Sequence, residues 1–382
     1  MKNKLKPKIV SFNKIKKLWE NELPVTVYIH SAFCKNICNF CIYKGGIPYS
    51  GHQELYSKYF NEYLPNQLDN YADIIAKRKV ACIYFGGGTP NMEEDLANLG
   101  TVFDKVRDIP CTEKVIELHY GLPITDKTIE TLAKEHFTTA LICIQTFDSA
   151  KLKEENRPVY DNDLNYIIKQ LHQKNISVGI DLIDFLDSED RIVSDIKYLT
   201  ELENKPDEIT ILHEITSSDS NFMTAAVMSE PVKKSLFDLA SSSYKIHISS
   251  GNDSYTFVLN EKINDYYKNF FTFRQYQIAV PDNDKGIIGI GSAKESGHRS
   301  YSRVGRYVYL ENHDITKNKT AYQLYHMPSA QTCIQKALKK VKLDPIFYNG
   351  SYVKFRICYV TPEFTKDFNP GWPHVIVEYK RK

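Results

Sequence analysis

Cys34, Cys38 and Cys41 form a C-x3-C-x2-C run within eight residues. Clustered thiolates on one short loop point to a metal rather than to disulfides. A structural zinc site needs four ligands in a tetrahedron. No second cysteine pair of comparable spacing follows, and His30 is the neighbour that could supply the fourth ligand. Three thiolates also suit a [4Fe–4S] cluster whose fourth iron is left open to a small molecule. An open iron can bind a substrate or cosubstrate and pass it an electron.

Around that run, the chain offers an ordinary globular background. It has 382 residues, 42% apolar and 25% charged, which excludes wholesale disorder and allows one large domain or two to three smaller ones. No stretch approaches the roughly 18 apolar residues of a membrane helix. The first residues, MKNKLKPKIV, are basic without the apolar core of a secretory signal. With 49 basic against 47 acidic residues, no global field draws nucleic acid or a membrane surface. The expectation is a soluble cytoplasmic protein that works on a small molecule. Of the other five cysteines, Cys82 (VACIYF) and Cys143 (ALICIQ) sit in short apolar runs and are expected as small core residues. Cys111, Cys333 and Cys358 carry no pattern.

The elements that must position the cysteines alternate. Short apolar runs at 26–30, 80–85, 114–119, 139–145, 177–183 and 208–213 predict strands. Between them, amphipathic stretches at 53–77, 92–107, 126–135, 161–174 and 188–202 predict helices. Six β-then-α units argue for an α/β fold with parallel strands, as an open sheet or a barrel, and resemble a partial (β/α)6 TIM-like barrel more than a small doubly wound sheet. Ligands then belong at the carboxyl ends of the strands. The predicted organisation is an N-terminal extension (1–23), the barrel core (24–215), an aromatic and glycine-rich region that completes it (216–300), and a smaller C-terminal α+β region (301–382). Within the last two, 216–220 reads as a loop. A helix is expected around 330–341, and strands at 304–310, 352–360 and 374–380.

The flanks of the cysteines resemble a known family. YIHSAFCKNICNFC (28–41) is similar to the signature of the radical S-adenosylmethionine superfamily, in the form found in its oxygen-independent coproporphyrinogen III oxidase-like branch. IYFGGGTPN (83–91), IQTFD (144–148) followed by Arg157, IDLID (180–184) and GIGSA (289–293) recur in that branch's order, so the resemblance covers about residues 24–300. It implies a [4Fe–4S] cluster on Cys34, Cys38 and Cys41 that cleaves S-adenosylmethionine to a 5′-deoxyadenosyl radical, which abstracts hydrogen from substrate. The positions matching S-adenosylmethionine contacts are Tyr28, Phe40, Gly86, Gly87, Gly88, Glu117, Gln145, Arg157 and Asp181. The chemistry of these residue types fits, since carboxylates hold hydroxyls or an ammonium and an Arg fork holds a carboxylate. Some members bind two molecules of S-adenosylmethionine at positions of this kind, so a second molecule is permitted as a methyl or methylene donor. A flavodoxin- or ferredoxin-type protein is the implied electron donor.

Departures bear on the substrate. Ala32 replaces the family proline, DFLDSED (184–190) replaces a Gly-Leu-Pro turn, HEIT (213–216) differs, and the last 80 or so residues do not look like the usual accessory domain. The preferred expectation is therefore radical methylation or other C–C bond formation in a biosynthetic pathway. The alternative is haem-related chemistry, either coproporphyrinogen decarboxylation or haem trafficking. His119, two residues after Glu117 and on the same strand face, is a candidate acid or base. Tyr266, Tyr267, Phe270, Phe271, Phe273 and Tyr276 could wall a flat substrate, with core packing as the plainer role. Ser292 and Lys294 could line a pocket mouth.

Overall fold

The structure is a computed structural model. It describes residues 3–4, 8–20, 24–41, 46–185, 187–213, 230–240, 243–248, 254–259, 261, 286–291, 301–305, 307–314, 319–326, 346–348, 352–360 and 374–380. The aromatics at 266–276, Ser292, Lys294, the 216–220 loop and the helix expected around 330–341 lie outside the described residues.

Seven parallel strands form the centre: β1 (Val25–Ser31), β2 (Val80–Gly87), β3 (Cys111–His119), β4 (Thr139–Gln145), β5 (Ser177–Asp184), β6 (Glu208–His213) and β7 (Gly286–Ile290). Their order is β6-β5-β4-β3-β2-β1-β7. Antiparallel strands continue the sheet at both flanks. Ser254–Leu259 and Tyr244–Ile248 lie beyond β6, and Tyr301–Val304, Tyr307–Asp314, Lys319–His326 and Lys8–Val10 lie beyond β7. The expected α/β fold and all six expected strands are present. The barrel is not closed, because β6 and β7 each pair outward rather than with each other. Asn3–Lys4, Ile346–Tyr348, Tyr352–Val360 and His374–Lys380 make a separate four-stranded sheet.

The crossover helices are α1 (Leu64–Ala76), α2 (Gly100–Val106), α3 (Asp126–Lys134), α4 (Ser149–Glu154), α5 (Leu164–Gln173) and α6 (Glu189–Glu201). Strand alternation separates two faces. Val27, Ile29, Phe85, Ile116, Leu118, Ile142, Ile180 and Ile209 pack against the helices in the main core. The opposite face holds a smaller apolar floor of Tyr28, Cys82, Tyr84, Val115 and Leu141. Above that floor, the register aligns His119, Cys143, Asp181, Thr210 and Thr256 across five strands. Polar side chains thus gather on the face opposite the main core, towards the carboxyl ends.

Three expectations are corrected. The predicted helix at 92–107 is helical as an α-helix only over Gly100–Val106. Before it, Asp95 and Leu96 take positive φ (59° and 62°). Their neighbourhood explains this, because the Asp95 carboxylate accepts from Thr125 Oγ1 at 2.9 Å and pairs with Lys127 at 2.8 Å. The helix at 53–77 contains a π turn, Tyr59–Tyr63, between Gln53–Lys58 and α1. In that turn Tyr59 Oη lies 2.8 Å from His30 O and 2.7 Å from Gly291 O, tying the ends of β1 and β7 together. The single strand expected at 304–310 is a hairpin, broken at Gly305 (φ 54°).

Candidate active site at the strand carboxyl ends

The cysteine loop leaves β1 and is held by three sets of contacts. Ile47 N donates to Ala32 O and Tyr49 N to Cys34 O, at 2.8 and 3.0 Å. From β2, Gly88 N donates to Ser31 O and Thr89 N to Phe33 O. From the end of α4, Glu155 O accepts from Asn39 N at 3.0 Å and Glu154 O from Asn39 Nδ2 at 2.8 Å, while Asn156 Nδ2 donates to Ile37 O at 3.0 Å. Burial, with Cys41 and Cys38 nearby, pushes the Cys34 thiol up to about 12, against the lowering hydrogen bond from Thr89 and the charge of Arg157. The three sulfurs therefore share one electrostatic environment, and none of them is in a disulfide.

Glycine is required at the adjoining turn. A Cβ on Gly87 (φ +108°) would stand 2.3 Å from His30 Nδ1. One on Gly88 would stand 2.4 Å from Phe33 O and 2.9 Å from Cys34 Sγ. One on Gly86 would meet the Tyr84 ring at 2.6 Å and the Glu117 carboxyl at 3.0 Å. The triplet lets the cysteine loop, rather than only a ligand, press onto the end of β2.

Glu117, Gln145 and Asp181 lie on the successive strands β3, β4 and β5 as expected. Glu117 accepts from Tyr84 Oη and from Gly87 N at 3.2 Å. Burial, reinforced by Asp181, raises its carboxyl to about 7 despite these donors. Gln145 sits beside a register shift in β4 with φ 76°, a left-handed conformation unusual for its type. Its Oε1 is buried without a hydrogen-bond partner. Such an orphan acceptor costs free energy unless a bound group supplies a donor. Arg157, 7% exposed, donates through Nη2 to Cys143 O and through Nη1 to Cys38 Sγ at 3.7 Å.

Tyr28 lies in the floor, stacked on Tyr84 at 5.7 Å, with its hydroxyl 3.2 Å from His30 Nδ1. Phe40 packs edge-on against Phe185 at 5.5 Å, and Lys151 Nζ lies 4.9 Å from the Phe185 ring centre. His119 Nδ1 accepts from Gly121 N at 3.0 Å, and burial followed by the charge of Arg157 pushes the ring well below its ordinary pKa. It is a neutral imidazole offering Nε2–H. Cys82 is core, as expected. Cys143 is not: its thiol donates to Asp181 Oδ2 at 3.6 Å on the polar face. Sequence reading missed Tyr84, Cys143 and Phe185. For the first two, the alternation that places Gly86 and Gln145 two residues on was the available signal.

These residues fit a [4Fe–4S] cluster and its cosubstrate. Among the described residues, no three His, Cys, Asp or Glu groups converge on a point that could hold one metal ion. Tetrahedral zinc would require that convergence, with thiolates about 2.3 Å from a single centre. His30, the fourth ligand considered for zinc, is instead enclosed by Tyr28 and Gly87. A cubane places each thiolate on its own iron rather than on a shared centre. The orphan Gln145 oxygen is an acceptor that a polar ligand could satisfy.

The Radical SAM superfamily pattern matches residues 28–199. The heme chaperone HemW of Escherichia coli (strain K12) is 28% identical over 143 residues, 35% of each chain. The oxygen-independent coproporphyrinogen III oxidase of Salmonella typhimurium is 26% identical over 204 residues, 50% of this chain and 42% of that one. The chain thus spans less than half the length of the curated relatives it matches. In fold, it is similar to coproporphyrinogen III oxidase (HemN) from Escherichia coli, with a TM-score of 0.63 at 17% identity, over 86% of this chain and 78% of that one. Among the described residues, no helix is long and apolar enough to cross a membrane. Cysteine loop, glycine turn and strand order agree with the sequence relationship: residues 28–199 match the Radical SAM superfamily, the chain is similar to oxygen-independent coproporphyrinogen III oxidases, and the residues present fit a [4Fe–4S] cluster and S-adenosylmethionine.

Proposed function

We propose that this chain is an enzyme that cleaves S-adenosylmethionine reductively and abstracts hydrogen from a small-molecule substrate, with methylation or other C–C bond formation as the outcome. The observation that carries the reading is the three-cysteine loop, packed against Gly86–Gly88 and bonded through Cys38 to the Arg157 guanidinium, together with the unpartnered Gln145 Oε1 at the end of β4. When bound, the cofactor pair supplies one-electron S–C cleavage and a hydrogen-abstracting carbon centre.

The chain's own residues hold and orient. Cys34, Cys38 and Cys41 ligate the cluster. Glu117 and Asp181 face a ribose or ammonium group, Gln145 Oε1 accepts from it, and Gly86, Gly87 and Gly88 leave backbone accessible at the methionyl end. Phe40, braced by Phe185, covers an aromatic ring, and Tyr28 closes the floor. Neutral His119 serves as a donor through Nε2–H rather than as a base. A flavodoxin- or ferredoxin-type protein supplies the electron, and the setting is the cytoplasm.

The test is anaerobic reconstitution with iron and sulfide. About four irons per chain, with 5′-deoxyadenosine released on reduction, are expected, and S-adenosylhomocysteine accompanies it if methyl transfer is the outcome. A colourless protein, or a loaded one that leaves S-adenosylmethionine intact, overturns the reading. The names of the relatives favour a second reading in which the substrate is a coproporphyrinogen or the ligand is haem. Stoichiometric haem binding, or 5′-deoxyadenosine formed only with coproporphyrinogen, would favour it.

A further inference from the structure

Arg157 is not placed as a free fork awaiting a carboxylate. Nη2 is engaged by Cys143 O at the end of β4, and Nη1 points at Cys38 Sγ, 3.7 Å away. Both partners are fixed. Arg157 N donates to Leu152 O of α4 at 2.8 Å, and the preceding Asn156 is tied to Ile37 O inside the cysteine loop. Arg157 is 7% exposed and Cys38 9%, so solvent screens their interaction little. The same charge acts on Cys34. Lys35, the other cation among the described residues of the loop, is exposed and its field is correspondingly damped. Of the nearby acids, Glu117 is bonded to Tyr84 and Gly87, and Asp181 accepts from Cys143.

We infer that Arg157 is a positioning residue that sets the reduction potential of the cluster by donating a charged hydrogen bond to the Cys38 sulfur. The inference rests on the cluster assignment above. Reduction adds one electron, supplied by an external low-potential reductant, and no bond forms or breaks. The reduced cluster carries one more negative charge than the oxidised one. A buried guanidinium at a ligating sulfur therefore stabilises the reduced form more and raises the potential.

The experiment is an anaerobic redox titration, followed by the electron paramagnetic resonance of the reduced cluster, on full-length wild type, Arg157→Gln and Arg157→Lys. S-adenosylmethionine is left out, so that ligand binding by Arg157 does not enter. Preparations are matched for iron and sulfide. Arg157→Gln is expected to lower the reduced-to-oxidised ratio at a fixed potential about tenfold, equivalent to about 59 mV for one electron. Arg157→Lys, which keeps the charge and loses the fork, should shift in the same direction by less. If Arg157→Gln fails to load, the Lys variant decides by that same shift. Loaded variants that titrate with the wild type overturn the inference, and so does failure of both to assemble a cluster, which would make Arg157 an assembly residue. A wild type without a reducible cluster would instead overturn the proposed function.

Discussion

Gly88 and Cys34 are packed so closely that a methyl group on Gly88 would stand 2.9 Å from the Cys34 sulfur. The neighbouring obstacle, Phe33 O at 2.4 Å, is backbone and cannot swing aside. Gly88→Ala must therefore push the cysteine loop away from β2, at an overpacking cost of about 1–3 kcal/mol. Iron and sulfide incorporation should fall at least several-fold, read from metal content and from the visible absorbance of the cluster. Gly100→Ala is the control, since nothing lies within 4 Å of a Cβ there. It should load normally and be neutral or slightly stabilising.

Two buried carboxyls make stability pH-dependent in an unusual direction. Glu117 and Glu311 are both raised to about 7, chiefly by burial. Between their ordinary value of 4.5 and about 7, the folded chain binds more protons than the unfolded one. Stability from these groups is thus present at low pH and is lost as pH rises through about 7, by roughly 1 kcal/mol per pH unit for each group. Urea unfolding of the metal-free protein at pH 5, 6, 7 and 8 should show that decline, and Glu117→Gln and Glu311→Gln should each flatten it. Stability that climbs across this range in wild type as in both variants would contradict the assignment.

The sheet was legible because each central strand alternates: Val27 and Ile29 face helices while Tyr28 and His30 face the other way. The three cysteines and the carboxyls were legible by type and by their place at strand ends. Other features were not. Asp95 and Leu96 carry helix-compatible side chains, and only contacts with Thr125 and Lys127, some 30 residues on, turn their backbone left-handed. Cys143 reads as apolar in ALICIQ, and its polar role comes from Asp181 on the next strand. Arg157 is legible as a cation but not as a neighbour of Cys38, because 119 residues separate them.

Lys114 shows how far burial can depart from residue type. Its ammonium, 2% exposed, lies 3.0 Å from Glu135 O and 3.3 Å from Val106 O. Those carbonyls end α3 and α2, where the helix dipoles favour a positive charge. Burial lowers the pKa of Lys114 without removing these partners. Lys114→Met preserves most of the volume but leaves buried carbonyls unpaired, at a cost of about 1–3 kcal/mol. A lower urea midpoint is expected with cluster loading unchanged, since Lys114 lies towards the amino ends of the strands. An unchanged midpoint would show that the carbonyls find other donors.

The clamp from α4 onto the cysteine loop can be separated from the backbone that carries it. Asn156 has φ 53°, so alanine there would add strain as well as delete the bond to Ile37 O. Asn156→Gly keeps the left-handed conformation and removes only the side-chain donor. Asn175, also left-handed (φ 58°) and placed after α5, gives the matched substitution far from the loop. Loss of the Ile37 contact frees the segment between Cys34 and Cys38, so transient opening should expose the cluster more often. Iron release to a chelator is expected to quicken several-fold in Asn156→Gly and not in Asn175→Gly, with closely similar melting temperatures for the two variants. Equal release rates would mean that the Asn39 contacts to Glu154 O and Glu155 O hold the loop by themselves.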